Sequence, residues 1–277
     1  MRRGRTSAVL LYGSVTVLSL LWLVPVATAA MIAAVPIGQT REGWWHAGFG
    51  DLTLDNLVEA WREALSGYAV NSFVIAVGSV ALTVVTGAMA SYAFARMRFA
   101  GKRIVYLLLI STMIVPVQII LIPLLPWLRT LGLSTGDTQF LGIILVHTAF
   151  GAGWAVFMMS SFFADVPEEL LEAARIDGAR HLDILRRIVL PLAMPGIVSF
   201  AIIDFVFVWN DLLLGLSLLD RDHQPLTVGL ANLQSPHLAQ ENLVAAGSII
   251  AVLPPLVLFA LLNRYYVRGL FAGGVKG

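Results

Sequence analysis

Apolar positions along this chain gather into six runs, at residues 9–35, 70–95, 104–128, 140–163, 197–219 and 243–262, with polar stretches between them. Each is close to or above the ~20 residues a helix needs to cross hydrocarbon, where unpaired backbone groups cannot be left. The pattern predicts six membrane-spanning helices in a single domain over residues 1–277. The first run follows Arg2, Arg3 and Arg5 and passes Ala27, Thr28 and Ala29, the outline of a cleavable secretory signal. A signal core is only about 7–15 residues long. This run is longer and stays apolar past such a cut, so it reads as a retained helix.

Prolines interrupt two of the runs, at Pro116, Pro123 and Pro126 in the third and at Pro254 and Pro255 in the sixth. Proline removes a backbone donor and is tolerated where neighbouring helices or water satisfy the freed carbonyls. These helices either bend around a cavity or carry the prolines common in membrane helices. Gly87 and Ser91 permit close helix contact without naming a partner.

Composition agrees with a membrane chain: 58% hydrophobic, 13% charged and a mean hydropathy of +0.83, against about 25% charged in a soluble domain. A net charge of +1 provides no field for nucleic acid. The lack of cysteine excludes disulfides and thiolate chemistry. The placement of the positive charges is more telling. With the N-terminus inside, Arg2, Arg3, Arg5, Arg96, Arg98, Lys102, Arg103, Arg175, Arg180, Arg186, Arg187, Arg264, Arg268 and Lys276 fall on one side, and only Arg41, Arg62, Arg129 and Arg221 on the other. Positive residues are retained on the cytoplasmic side, so both termini are expected there.

The segment between the fourth and fifth runs, residues 164–195, is too polar to enter a bilayer and too patterned to be disordered. Pro167 suits a first helical turn, and Glu168, Glu169 and Glu172 place negative charge near that helix's positive end. Gly178 offers a left-handed stop. Leu182, Leu185, Ile188 and Val189 then mark the apolar face of a second short helix, which Pro191 ends. The expected product is helix, turn, helix across the cytoplasmic face. Glutamates at the head of the first helix argue against a lipid-surface element, whose polar face is usually rich in Lys and Arg.

The string Glu172-Ala173-Ala174, three residues, Gly178, nine residues, Ile188, one residue, Leu190-Pro191 resembles the EAA loop of ABC importer permeases. The resemblance extends over essentially the whole chain. Trp209-Asn210-Asp211, the stretch from Pro225 to Leu230, and the ending from Arg264 through Gly273, Gly274 and Lys276 resemble the oligosaccharide-type carbohydrate permeases, in particular the shorter, second permease of the maltose-type pair. The resemblance implies an all-α integral membrane protein with the type I importer permease fold, six spans and a cytoplasmic coupling helix. It further implies docking or turn roles for Glu172, Ala173, Ala174, Asp177 and Gly178, and contact of the Gly273, Gly274 and Lys276 tail with the ATPase. The implied partners are a second permease, two ATP-binding subunits, a solute-binding protein outside, and the lipid of a bacterial or archaeal cell membrane. Independently, no Gly-rich phosphate cradle ending in Gly-Lys-Ser or Gly-Lys-Thr occurs in the sequence, so ATP and Mg are expected on other chains and no cofactor on this one.

Polar residues inside the runs are candidates for the substrate path. A charge at the centre of a spanning helix costs about 2.5–3.5 kcal/mol on insertion scales, so Asp204 should face a cavity or a partner. It either lines the path with Trp209 and Asn210 nearby or makes a structural hydrogen bond. Gln118 either bonds a carbonyl freed by Pro116 or lines the path. His147, alone in the fourth run, reads as a satisfied core residue. Trp44, Trp45 and Trp61 read first as interfacial anchors. No assembled acid, base or metal motif points to catalysis. The competing functions are an importer permease for a polyol or glycerophosphodiester, a secondary transporter and a membrane enzyme. Paired intramembrane charges, which a secondary transporter would be expected to show, are not evident.

Overall fold

The computed structural model describes residues 2–234 and 241–274, with side chains described outside 2–6, 41, 42, 49 and 264–274. Among the described residues all regular structure is helical. The elements are α1 (Arg2–Ala34), α2 (Ile37–Gly43), α3 (Asp55–Glu59), α4 (Ser66–Arg96), α5 (Lys102–Ser111), α6 (Val117–Thr130) and α7 (Thr138–Ala164). There follow α8 (Glu168–Ile176), α9 (His181–Ile184), α10 (Leu190–Leu192), α11 (Met194–Trp209), α12 (Leu213–Leu218), α13 (Leu226–Leu233) and α14 (Glu241–Gly274). Single π-helical turns, Ala60–Leu65 and Leu185–Val189, join α3 to α4 and α9 to α10.

Among the described residues, four helical stretches are long and apolar enough to cross a membrane: Ser7–Ala34, Asp55–Arg96, Thr138–Ala164 and Glu241–Asn263. The pair His181–Leu192 and Met194–Trp209, bent by 78°, makes a fifth if counted as one span. The third apolar run differs from the continuous helix expected over 104–128. It is broken between α5 and α6, and α6 starts after Pro116, whose φ is −63° and ψ 129°. The cause is local. Proline disfavours helical geometry at Val115, and residues 112–114 tighten into i→i−3 turns, Thr112 N to Leu109 O, Met113 N to Ile110 O and Ile114 N to Ser111 O.

The chain forms two compact units, residues 1–66 with 229–253, and residues 67–228 with 254–277. In the first, the buried Asn56 amide donates to the Ala33 and Val35 carbonyls at 2.8 and 2.9 Å, satisfying acceptors at the end of α1. Its oxygen accepts from Asn242 Nδ2 at 2.7 Å.

The second unit contains α5 to α12. Its core joins Tyr92 of α4, Met159 and Phe163 of α7, Leu171 of α8, Ile184 of α9, and Ile197 and Phe200 of α11. The 165–195 loop is thus built into this core rather than hung from it. Gln139 and Asp220 exchange two hydrogen bonds, Nε2 to Oδ2 at 2.6 Å and Asp220 N to Oε1 at 2.7 Å. The segment following α12 is further held by Asn71 Nδ2, which donates to the Asp222 and Gln224 carbonyls, and by Ser72 Oγ, which accepts from Leu226 N.

Candidate functional site

Two places in the second unit carry the polar residues singled out by the sequence. The first is α8 and its turn. Leu171 is fully buried and Ala174 half-buried, whereas Glu169, Glu172, Ala173 and Ile176 lie exposed. At helical periodicity these last four share one face. Ile176 is 87% exposed, a large aliphatic side chain presented beside glutamates.

The turn after α8 is a Schellman motif. Ala179 N donates to Ala174 O at 2.9 Å and Gly178 N to Arg175 O at 3.0 Å, with Gly178 at φ 82°. The half-buried Ala174 and Ala179 both pack against the core, supplying the apolar contact that accompanies such a cap. The spacing of Ala174 and Gly178 therefore has a local physical reason.

Arg96, the last residue of α4, fixes this loop from behind. Its guanidinium donates to Phe163 O at 2.9 Å, Ala164 O at 3.0 Å, Val166 O, and Glu168 Oε2 at 2.9 Å. The first two acceptors end α7, where unpaired carbonyls and the helix dipole favour a cation. Arg175 reaches the other Glu168 oxygen at 2.9 Å. Tyr92 OH lies 3.1 Å from His181 Nδ1, tying α4 to α9 as well.

The second place is a cavity of about 310 Å³ walled by α7, α11, the α5–α6 break and the start of α12. His147, Gly151 and Trp154 line it from one face of α7, and Asp204, Phe207 and Asp211 from the α11 side. His147 and Asp204 are 3% and 6% exposed. His147 Nε2 is 3.8 Å from Asp211 Oδ2, beyond hydrogen-bond range. Neither His147 Nε2 nor Asp204 Oδ2 has a hydrogen-bond partner among the described residues. The Thr83 hydroxyl faces Asp204 and donates to Ser79 O at 2.7 Å. Asp211 Oδ2 accepts from Leu214 N and Gly215 N, both at 3.1 Å, capping α12, and its carbonyl accepts from Thr227 Oγ1 at 2.6 Å.

Of the residues expected along a substrate path, Asp204 lines this cavity. Trp209 is buried against Phe205 and Phe73, at ring separations of 5.5 and 5.0 Å. Asn210 is exposed and donates to Val206 O at 2.7 Å. Gln118 is exposed, next to the cavity-lining Val117. Gly273 and Gly274 form the end of α14, and Lys276 lies outside the described residues. His147, read from sequence as an isolated core residue, and Trp154 are the additions. Their spacing with Gly151, at i, i+4 and i+7, is the signal that places them together.

Outside the spans, His223 joins Asp220 (Nδ1 to Oδ1, 2.5 Å) and Asp137 (Nε2 to Oδ1, 3.3 Å). The hydrogen bonds from His223 and then Gln139 lower the Asp220 pKa below its ordinary value. The hydrogen bond to Asp220, opposed by burial and aided by Asp137, raises that of His223.

Apolar helices of spanning length, a structured polar loop with an outward helix face, and a largely apolar cavity into which His147, Asp204 and Asp211 reach fit an integral-membrane permease. The chain belongs to the family of binding-protein-dependent transport system inner membrane components, which residues 83–271 match. An osmoprotective compounds uptake permease of Synechocystis sp. is 35% identical over 95% of this chain and 90% of its own length. A trehalose transport system permease of Mycobacterium tuberculosis is 36% identical, over 82% and 83%. A melibiose/raffinose/stachyose import permease of Bacillus subtilis is 37% identical, over 82% of each chain. Among solved structures, a bacterial ABC transporter involved in import of the acidic polysaccharide alginate superposes with a TM-score of 0.80 at 20% identity, covering 96% of this chain and 98% of its own. The fold is that of the type I ABC importer permeases.

Proposed function

We propose that this chain forms half of the translocation path of an ATP-driven importer that takes a sugar, a di- or oligosaccharide, from an extracytoplasmic binding protein. A second permease completes the path, and two ATPase subunits holding ATP and Mg dock against the loops. The chain crosses the cell membrane with both termini in the cytoplasm, in keeping with its Lys and Arg distribution.

The observation that carries this reading is the α8 surface. One face is locked to the core by Leu171 and the opposite face presents Glu169, Glu172, Ala173 and Ile176 to solvent. A rigid, acidic face with one bare aliphatic side chain suits a basic, apolar-floored cleft on a partner protein and is repelled by an anionic leaflet. Arg96 links α8, through Glu168, directly to α4 and to the end of α7. The sugar rests on the relatives, whose named solutes include trehalose, melibiose, raffinose and stachyose. A glycerophosphodiester is disfavoured, because among the described residues no Lys or Arg lines the cavity to meet a phosphate.

Uptake of radiolabelled trehalose, melibiose and raffinose by cells with and without the chain tests the reading. Loss of uptake of at least one sugar on deletion, restored by the native chain but not by Glu172→Lys, is the expected result. Unchanged uptake of every sugar on deletion would contradict it.

A further inference from the structure

We infer that this chain carries its own sugar-ring subsite in the His147–Asp204–Asp211 cavity, with Trp154 as the stacking face. The inference rests on the importer reading and adds to it that this permease, and not only its partner or the binding protein, selects the solute. Two buried polar atoms, His147 Nε2 and Asp204 Oδ2, have no hydrogen-bond partner among the described residues and belong to residues that border the same cavity. Such atoms cost about 1–3 kcal/mol each unless something hydrogen-bonds to them. Asp204 in addition places a carboxylate in a span, which is rare away from functional paths.

The chemistry of the ligand follows from these atoms. A hydroxyl both donates and accepts, so it serves a carboxylate oxygen and an imidazole nitrogen in either tautomer. A quaternary ammonium would find the aromatic residues and the carboxylates congenial but has no N–H or O–H, so it would give neither buried atom a hydrogen bond. An anion would meet Asp204 and Asp211 with no opposing Lys or Arg on the lining among the described residues. Trp154, 47% exposed, leaves an indole free for the apolar face of a ring. At about 310 Å³ the cavity lies at the lower end of ligand pockets, ~300–1,000 Å³, enough for a single ring or a small disaccharide held part at a time.

Gly151 keeps the site open. A Cβ there would lie 2.8 Å from Thr83 Cγ2 and 3.2 Å from Asp204 Oδ1. A side chain at 151 would press on the carboxylate and its Thr83 neighbour together.

The test uses the intact importer, reconstituted in vesicles with its partner permease, ATPases and binding protein. It measures import of radiolabelled trehalose and melibiose alongside ATP hydrolysis stimulated by the loaded binding protein. Asp204→Asn and Trp154→Ala are the variants, with Trp154→Phe as the conservative rescue and glycine betaine as competitor. We expect import to fall about tenfold or more in the first two, consistent with losing a charged hydrogen bond or a stacking partner. Stimulated hydrolysis should stay near the native rate, and Trp154→Phe should recover most of the import. Native import of both sugars in the variants, loss of hydrolysis in parallel with import, or competition by betaine would each overturn the subsite. Failure of the native importer to move either sugar would instead sink the sugar-importer reading itself.

Discussion

Arg96→Ala removes the donor that holds the 165–195 loop to the end of α4. Four acceptors lose it: the carbonyls of Phe163, Ala164 and Val166, and Glu168. Phe163 and Val166 are 0% and 5% exposed, so their carbonyls are poorly placed to find water. A buried acceptor left unpaired costs about 1–3 kcal/mol. Ala164 is exposed and rehydrates, and the half-exposed Glu168 adds at most about 1 kcal/mol. The local docking of α8 should weaken by roughly 2–7 kcal/mol, the lower figure already being about a thirtyfold change in equilibrium. Hydrogen exchange of amides 168–179 in the purified importer reads this directly, and exchange should quicken at least about thirtyfold. Stimulated ATP hydrolysis should uncouple from import, because the rigid link from α8 to α4 is gone. Arg96→Lys should recover only part of the protection, since an ammonium cannot span the acceptors that the guanidinium fork reaches. Native protection in Arg96→Ala would refute the reasoning.

Gly178→Ala should cost about 1–2 kcal/mol from the left-handed backbone alone, since open space surrounds the added methyl, and should lower the thermal midpoint while leaving import measurable. Gly151→Leu should be worse than Gly151→Ala, which should itself cost about 1–3 kcal/mol from overpacking against Thr83 and Asp204, read as loss of folded yield and import. The His223–Asp220 pair sets a pH window for the 220–226 segment. The raised His223 contributes fully below its unfolded value, about 6.5, and is lost as pH rises through the higher folded value. The lowered Asp220 contributes above its unfolded value, about 3.9, and is lost as pH falls through the lower folded value. Exchange protection at Asp220 N, corrected for intrinsic rates, should peak between these limits and lose its alkaline fall in His223→Ala; an unaltered profile would contradict the pairing.

The loop was legible in the sequence because its determinants are local. A proline start, glutamates in the first turn and a glycine four residues after Ala174 are chemistry that a helix and its cap require wherever they occur. The break between α5 and α6 was less so: the prolines marked distortion, but whether a span bends or stops depends on which neighbours satisfy its carbonyls. The cavity was legible only in Asp204. Trp209 and Asn210 follow it by five and six residues, about 140° and 240° around a helix, off the face that Phe207 and Asp211 share with it. His147 looked isolated because its acidic neighbours, Asp204 and Asp211, lie more than fifty residues away in the chain.

The central claim, that the outward face of α8 is where the ATPase docks, is tested most directly by affinity purification of the tagged chain from its native membrane in mild detergent, with Glu172→Lys and Ile176→Asp alongside. The account predicts that the native chain brings down a second permease and an ATPase, and that both variants keep the permease and lose the ATPase. A native chain recovered alone or only with copies of itself, or variants that retain the ATPase at native yield, would contradict it.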